Sequence, residues 1–433
     1  MTLFADDDRA PVIVAGYRTP FVRSGTDYKH LMAYDLARIA LQGLLDRTQI
    51  ERSAVQHGIF GCVLNPPKTS NVAREAMIGA DLPVSIPGHT VTMACISGNQ
   101  AITQAAEMIA RGQAEVVVAG GTECLSDIPI MLKRPLRQKL TELKKIKTPL
   151  DYLRWAFELR PSHFLPEIPE IAEFSTGLTM GQSADRMAAR WNVNREEQDR
   201  YALRSHQTAA EAIQNGVLQD EVLPTVVPPH FRVVDKDNGV RPDTSFEKLQ
   251  KLTPAFYPKY GTITAGNSSF LSDGAAAALL MSKRRAEELG YAPLARLVSY
   301  TYVGCDPLEE LLLGPAYAVP RVLKETGLAL TDVGVFELHE AFAGQILVNL
   351  KALDDERFGR ENLGWGHKVG EIPLDRLNTL GGSLSLGHPF GATGIRLLVT
   401  CCKRMQREDS DFGIIASCAA GGLGHALVLE RLS

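Results

Sequence analysis

No stretch of this sequence approaches the roughly eighteen consecutive apolar residues of a membrane-spanning helix. Its longest apolar run, around Ala275 to Met281, is short and alanine-rich. Neither sign of charge dominates, since 46 Lys and Arg stand against 50 Asp and Glu for a formal charge of -4. General attraction for nucleic acid is thereby excluded, and a polyanion would need a local patch. No two of the seven cysteines, at positions 62, 95, 124, 305, 401, 402 and 418, make a CxxC pair. An odd number of unpatterned thiols in a long chain argues against a disulfide framework and for a reducing compartment. The start lacks a basic or apolar targeting segment and instead carries Asp6, Asp7 and Asp8. The sequence thus reads as a mature protein beginning at Met1 in a cytoplasm.

What is present is ordinary globular composition, 45% hydrophobic and 22% charged over 433 residues, enough for two or three core-forming units. Short β-branched runs alternate with amphipathic helical stretches. Val12 to Ala15 predicts a strand, Tyr34 to Leu45 a helix, His57 to Leu64 a strand, Gly98 to Arg111 a helix, and Glu115 to Ala119 a strand closed by Gly120-Gly121. The order returns with a helix over Ala316 to Thr326, a strand over Val333 to Leu338, a helix over Gly391 to Met405 and a strand over Phe412 to Ser417. This is an α/β pattern with a duplicated unit. The halves divide near 290, as residues 1–290 and 291–433, and an inserted loop domain covers about 125–260. That insertion is rich in proline and charge, with one long helical run at Arg195 to Asn215. Within it, residues 133–160 carry nine basic and three acidic side chains, a local charge of +6. Leucines there recur every three or four residues, as in an amphipathic helix or helical pair. Such a face is open to solvent, to acidic lipid, to a partner subunit or to phosphates.

Four short motifs carry reactive groups. Cys95, in Val91-Thr92-Met93-Ala94-Cys95-Ile96-Ser97-Gly98, sits where a strand should give way to a helix; unpaired N–H groups there lower a thiol's pKa or hold an oxyanion. Read alone, a cysteine there is more often an inert small core residue. His388, in Gly387-His388-Pro389-Phe390-Gly391, is fixed by a tight backbone just before a helix, at the place Cys95 holds in the first half, so a pseudo-twofold would bring thiol and base together. A buried structural histidine is the other reading. Cys418 ends a strand and enters the turn Ala420-Gly421-Gly422, a ligand-site position, though a packing turn or a phosphate loop would look similar. His339, in Leu338-His339-Glu340-Ala341-Phe342, also follows a strand. The motif does not continue to HExxH, because position 343 is Ala, and no metal site is expected.

Taken together the motifs Cys-x-Ser-Gly, Gly-His-Pro and Cys-x-x-Gly, with Arg18-Thr19-Pro20-Phe21, Met180-Gly181-Gln182-Ser183 and Gly261-Thr262-Ile263-Thr264-Ala265-Gly266-Asn267-Ser268-Ser269, resemble the thiolase family over nearly the whole chain. Most thiolases resembling it carry Asn where His339 stands. His-Glu-Ala-Phe, the basic insertion and Glu173-Phe174-Ser175-Thr176 are similar to the β-subunits of fatty-acid oxidation complexes. The resemblance implies a duplicated αβαβα layered fold with an inserted loop domain. It implies cleavage of 3-ketoacyl-CoA by CoA, with Cys95 as nucleophile, His388 as base and Cys418 as acid and then base. His339 would hold a water or donate directly, and the backbone N–H groups of Cys95 and Ala420 would form an oxyanion hole. Ser269 would touch pantetheine, and Met180 would line the acyl pocket unless it only fills core. No bound cofactor is implied, because CoA is a substrate. A homodimer, a hydratase/dehydrogenase α-subunit and peripheral membrane contact through 133–160 are the implied partners. The rival readings are a decarboxylating ketoacyl synthase and a catalytically idle acyl-CoA-binding scaffold.

Overall fold

The computed structural model describes residue 4 and residues 7–167 and 172–432. Asp6, part of the acidic start, lies outside the described residues. Nine strands form one sheet in the order Val335–Leu338, Phe412–Ala419, Leu423–Glu430, Ala295–Gly304, Pro11–Arg18, Ser272–Ser282, Val116–Cys124, His57–Gly61, Gly88–Val91, with the two-residue Val22–Arg23 added beside Ser272–Ser282. The two halves meet between Pro11–Arg18 and Ala295–Gly304, which pair only at Val12 with Arg296 and Ile13 with Ala295.

The duplication is visible in the register. Pairing slips between Ile13 and Ala15 in the first half, and between Leu297 and Ser299 at the matching place in the second. On the outer edges, Gly88–Val91 runs parallel to His57–Gly61, and a single parallel bridge from Phe336 to Leu377 occupies the equivalent position. The local alternation read from sequence therefore places equivalent strands at equivalent positions.

Five layers result. In the middle lie the helices Ser97–Ala110 and Thr393–Arg407, whose Ile102, Ile109, Ile395 and Leu398 share one apolar cluster with Ile13, Ile59, Val335 and Ile415 from both sheet halves. One outer face is covered by Ala33–Thr48 and Val72–Gly79, packing Leu36, Leu41 and Met77 against Phe60, Val118 and Leu279. The other is covered by Gly314–Thr326 and Ala343–Leu353, packing Val319 and Ile346 against Phe336, Ile414 and Val428. Strands sandwiched between helices are apolar on both faces, which is why Ala275 to Met281 reads as a continuous run and is wholly buried as a strand, Ser272–Ser282. Among the described residues no helix is long and apolar enough to cross a membrane.

Two expectations are corrected. Gly120-Gly121 does not close its strand, which runs on from Val116 to Cys124. The glycines serve close approach: a Cβ on Gly121 would stand 1.8 Å from the carbonyl oxygen of Gly391. The insertion also holds a helix that its proline and charge did not suggest, Met180–Arg190 before Arg195–Gln214, besides the pair Arg134–Glu142 and Pro149–Phe157 that the leucine spacing allowed. The prolines at 135 and 149 sit in the first helical turns, where a missing N–H costs nothing. The basic stretch is thus a helical pair, tied by the indole N–H of Trp155 donating to the Lys139 carbonyl (2.8 Å).

Candidate active site

Cys95 stands on a sharp elbow. Ala94 is held at φ +47°, in the left-handed region that costs a residue with a Cβ energy. Ser97 maintains it: its hydroxyl accepts from the Met93 N–H (2.7 Å) and donates to the Ala94 carbonyl (2.7 Å). The backbone N–H groups of Ala420 and of Cys95 itself favour the thiolate, but burial outweighs them and pushes the thiol up to about 12. Those two N–H groups are the pair expected as an oxyanion hole.

The helix starts behind Cys95 and His388 abut as the duplication predicts. A Cβ on Gly98 would meet the Gly391 carbonyl oxygen at 2.6 Å, and one on Gly394 would meet the Asn99 backbone nitrogen at 2.6 Å. His388 does not lie at a strand end, as the sequence pattern suggested; it occupies the loop between the short helix Ser383–Leu386 and Thr393–Arg407, where the glycines and Pro389 admit no regular element. Its backbone N–H donates to the Ser272 hydroxyl (2.9 Å) and its Nδ1 lies 2.7 Å from the Thr393 hydroxyl. Its Nε2 is buried without a partner in the described structure. Burial, reinforced by Arg396, brings the imidazole down to about 3.

Cys418 lies in the last turn-side residues of Phe412–Ala419 rather than beyond it, paired with Gly424 across the hairpin. Burial pushes its thiol up, and the neighbouring Cys95 pushes it further in the same direction. Gly421 and Gly422, at φ +85° and +68°, make the turn that aims Ala420. His339 continues the parallel pairing beyond its strand, its N–H donating to the Ala416 carbonyl (2.8 Å). Its ring stands 4.0 Å, centroid to centroid, from that of His388. Burial lowers its pKa well below the ordinary value, with His388 and Arg396 adding to the effect. Glu340 spends its carboxylate on the Tyr201 hydroxyl (2.8 Å), the Ser205 hydroxyl (2.9 Å) and the Asn378 amide (2.6 Å). It therefore fastens the His339 loop rather than facing the thiols.

The N–H of Ser269 donates to the carbonyl of Ala341, beside His339. Met180 opens its helix and packs against the apolar cluster that contains Phe342 and Cys418, so it helps to fill core.

The sequence reading gave no role to three further residues. Glu123 accepts from the N–H groups of Leu64 (2.8 Å), Val63 (3.1 Å) and Gly391 (3.1 Å), anchoring the His388 loop; burial raises its pKa to about 7 against those three donors. A lone acid ending the apolar run Val116 to Thr122 was the signal. Glu173 reaches out of the insertion to accept from the N–H of Gly421 (2.6 Å). Ser383 lies between His339 and Arg396, at 2.9 and 3.3 Å, and nothing local in the sequence marks it.

Comparison with known proteins agrees with this geometry. The thiolase N-terminal domain model matches residues 11–284, and the thiolase C-terminal domain model matches 291–431. The mitochondrial trifunctional enzyme subunit beta of Bos taurus is 52% identical over 429 residues, 99% of this chain and 90% of that protein. The probable 3-ketoacyl-CoA thiolase of Caenorhabditis elegans is 47% identical, over 97% of this chain and 93% of that protein. The crystal structure of human mitochondrial 3-ketoacyl-CoA thiolase in complex with CoA superposes with a TM-score of 0.84 at 30% identity, covering 99% of each chain. These relatives overturn the cytoplasmic expectation, because half-identical proteins named as mitochondrial point to the mitochondrion instead. The free thiols on which that expectation leaned fit any reducing compartment and do not distinguish the two. In sequence and in fold, the chain belongs to the thiolase family.

Proposed function

We infer that the chain is a 3-ketoacyl-CoA thiolase of fatty-acid β-oxidation, an acetyl-CoA C-acyltransferase working through an acyl group on Cys95. The observation that carries the reading is the abutment of the helix starts behind Cys95 and His388, with Cys95 near enough to Cys418 to raise its pKa. His388 Nε2 takes the thiol proton as the Cys95 sulfur attacks the 3-keto carbon, and the two N–H groups receive the ketone oxygen. The C2–C3 bond then breaks, leaving the acyl group on Cys95 and an acetyl-CoA enolate. His388, now protonated, and His339 face the enolate oxygen, and Cys418 donates its proton to carbon. The Cys418 thiolate next takes the proton of incoming CoA, whose sulfur attacks the thioester; Cys95 leaves and recovers its proton from His388. Two CoA thioesters are released and the enzyme is restored.

To Ser269 we assign contact with pantetheine and to Met180 the lining of the acyl pocket, both on family likeness. The names of the relatives support assembly with an α-subunit; the homodimer is read from family likeness alone. For peripheral membrane contact we assign the basic helical pair, where Leu150, Leu153 and Phe157 stand out into solvent, Phe157 at 87% exposure. Flotation with anionic vesicles should weaken on neutralising Lys144, Lys145 and Lys147; unchanged flotation removes that assignment.

The pair of imidazoles 4.0 Å apart also suits a decarboxylating ketoacyl synthase, in which a second thiol has no task. Loss of 3-ketoacyl-CoA enolate absorbance on adding CoA, across short and long chains, separates the readings. Cleavage abolished in both Cys95→Ser and Cys418→Ala is expected. Activity surviving Cys418→Ala would transfer the chain to the synthase reading, and acyl-CoA binding without turnover by wild type would make it a scaffold.

A further inference from the structure

We propose that Ser383 and Arg396 form a buried relay that fixes His339 as the tautomer with its proton on Nε2, making both of them positioning residues for the donor that faces the substrate. This rests on the thiolase reading for its purpose, though not for its geometry. A guanidinium carries only donors, so at the 3.3 Å contact between Arg396 and the Ser383 hydroxyl the oxygen of Ser383 accepts. That hydroxyl has a single proton to give, and its other contact is Nδ1 of His339 at 2.9 Å. The proton therefore points at Nδ1, Nδ1 accepts, and the ring's own proton resides on Nε2. The opposite tautomer would set an N–H and a guanidinium against the same oxygen and leave the serine proton buried without an acceptor.

His388 is wired in the opposite sense. The Thr393 hydroxyl donates to the Pro389 carbonyl (2.9 Å) and must accept from Nδ1 of His388 at 2.7 Å. Its Nε2 then presents a lone pair. One helix, Thr393–Arg407, sets both rings: Thr393 at its first residue makes His388 a base, and Arg396 three residues on, through Ser383, makes His339 a donor. Both Nε2 atoms are buried and otherwise unpartnered in the described structure.

Arg396 is itself held fast. Its second nitrogen donates to Glu337 (3.1 Å), which also receives Arg404 (2.9 Å), and all three side chains are fully buried. Glu337 lies two residues before His339, on the same side of the extended backbone, so the carboxylate that orients Arg396 and the imidazole that Arg396 orients are fixed to one strand. Without the relay the ring is free to place its proton on Nδ1 and turn a lone pair toward an oxygen that is gaining negative charge.

Selective 15N-histidine labelling of the whole protein tests the relay directly, with the His339 signals identified by their loss in His339→Asn. In wild type, Nδ1 of His339 should appear as the acceptor and Nε2 as the N–H, with His388 reversed; a protonated Nδ1 on His339 overturns the proposal whatever the activity. For Ser383→Ala we expect kcat to fall on the order of 100-fold with KM changed by less than about threefold, the signature of an interaction made in the transition state. Ser383→Thr, which keeps the hydroxyl, should restore most of it. Unchanged kcat in Ser383→Ala also overturns the relay. Failure of wild type to cleave 3-ketoacyl-CoA would instead strike the functional reading, and the nitrogen spectrum would still decide the wiring.

Discussion

Burial treats Cys95 and His388 alike and drives each to its neutral form, the thiol up to about 12 and the imidazole down to about 3. A resting thiolate–imidazolium pair is therefore disfavoured, and proton transfer must accompany attack, when the Cys95 and Ala420 N–H groups have charge to receive. This predicts that alkylation of Cys95, followed by mass spectrometry of its peptide, keeps accelerating as pH rises past the ordinary thiol value of about 8.5. A plateau near neutrality would reveal a preformed ion pair instead. The three candidate residues of chemistry were legible because their motifs are local: an elbow, a glycine-locked histidine and a cysteine at a turn. Ser383 and Arg396 were not, because each acquires meaning only from a partner on another element, and a serine or an arginine in a helix has no distinctive spacing.

At the scale of elements, the site depends on how closely the two helix starts and the catalytic turns approach. A Cβ on Gly391 would lie 2.4 Å from the carbonyl oxygen of Gly61 and 2.5 Å from that of Thr122. Both are strand backbone and cannot yield as a flexible side chain would. Gly391→Ala should displace the His388 loop, lowering kcat/KM on the order of 100-fold, since small displacements of catalytic groups cost that much, and lowering the melting temperature as well. Normal activity in that variant would mean the loop has slack which the packing does not show. Glu173 offers a gentler test, for Glu173→Ala removes one acceptor from the Gly421 N–H and leaves that donor to water. A fall in kcat of about tenfold is expected, the kinetic equivalent of one lost hydrogen bond, with no loss of fold by circular dichroism. Nine strands and helices of the two halves were legible from periodicity, but Val72–Gly79, Ala295–Gly304, Ala343–Leu353 and Leu423–Glu430 were not read, and the pair Gly120-Gly121 misled. Glycine usually punctuates a strand, and only the loop arriving from position 391 explains why it continues one here. In the insertion the basic helical pair was legible from its leucine spacing, whereas Met180–Arg190 was not.

Over the whole molecule, the five layers bury ionisable groups whose protonation the folded state resists, and this sets its response to acid. Burial brings His206 down to about 4 and His425 to about 3, alongside His388 at about 3 and His339 well below its ordinary value. In the unfolded chain each titrates near 6.5. As pH falls through 6.5 the unfolded state takes up protons that the folded state refuses, so these four groups cost stability from there down to about 4, each at about 1.4 kcal/mol per pH unit. Buried carboxylates act in the other direction. Glu123, raised to about 7, and Glu337 and Asp273, also raised by burial, are protonated more readily when folded and contribute stability as pH falls toward the ordinary carboxylate range near 4.5. Below that range their contribution is complete while the histidines continue to oppose folding. The urea midpoint should therefore decline gradually between pH 6.5 and 4.5 and steeply between 4.5 and about 3.5. His425→Asn, which removes one such imidazole from beside Asn99, should flatten the slope by about one proton. A midpoint that rises on acidification across the whole range would show instead that the carboxylates dominate and that the imidazoles gain protons within the fold.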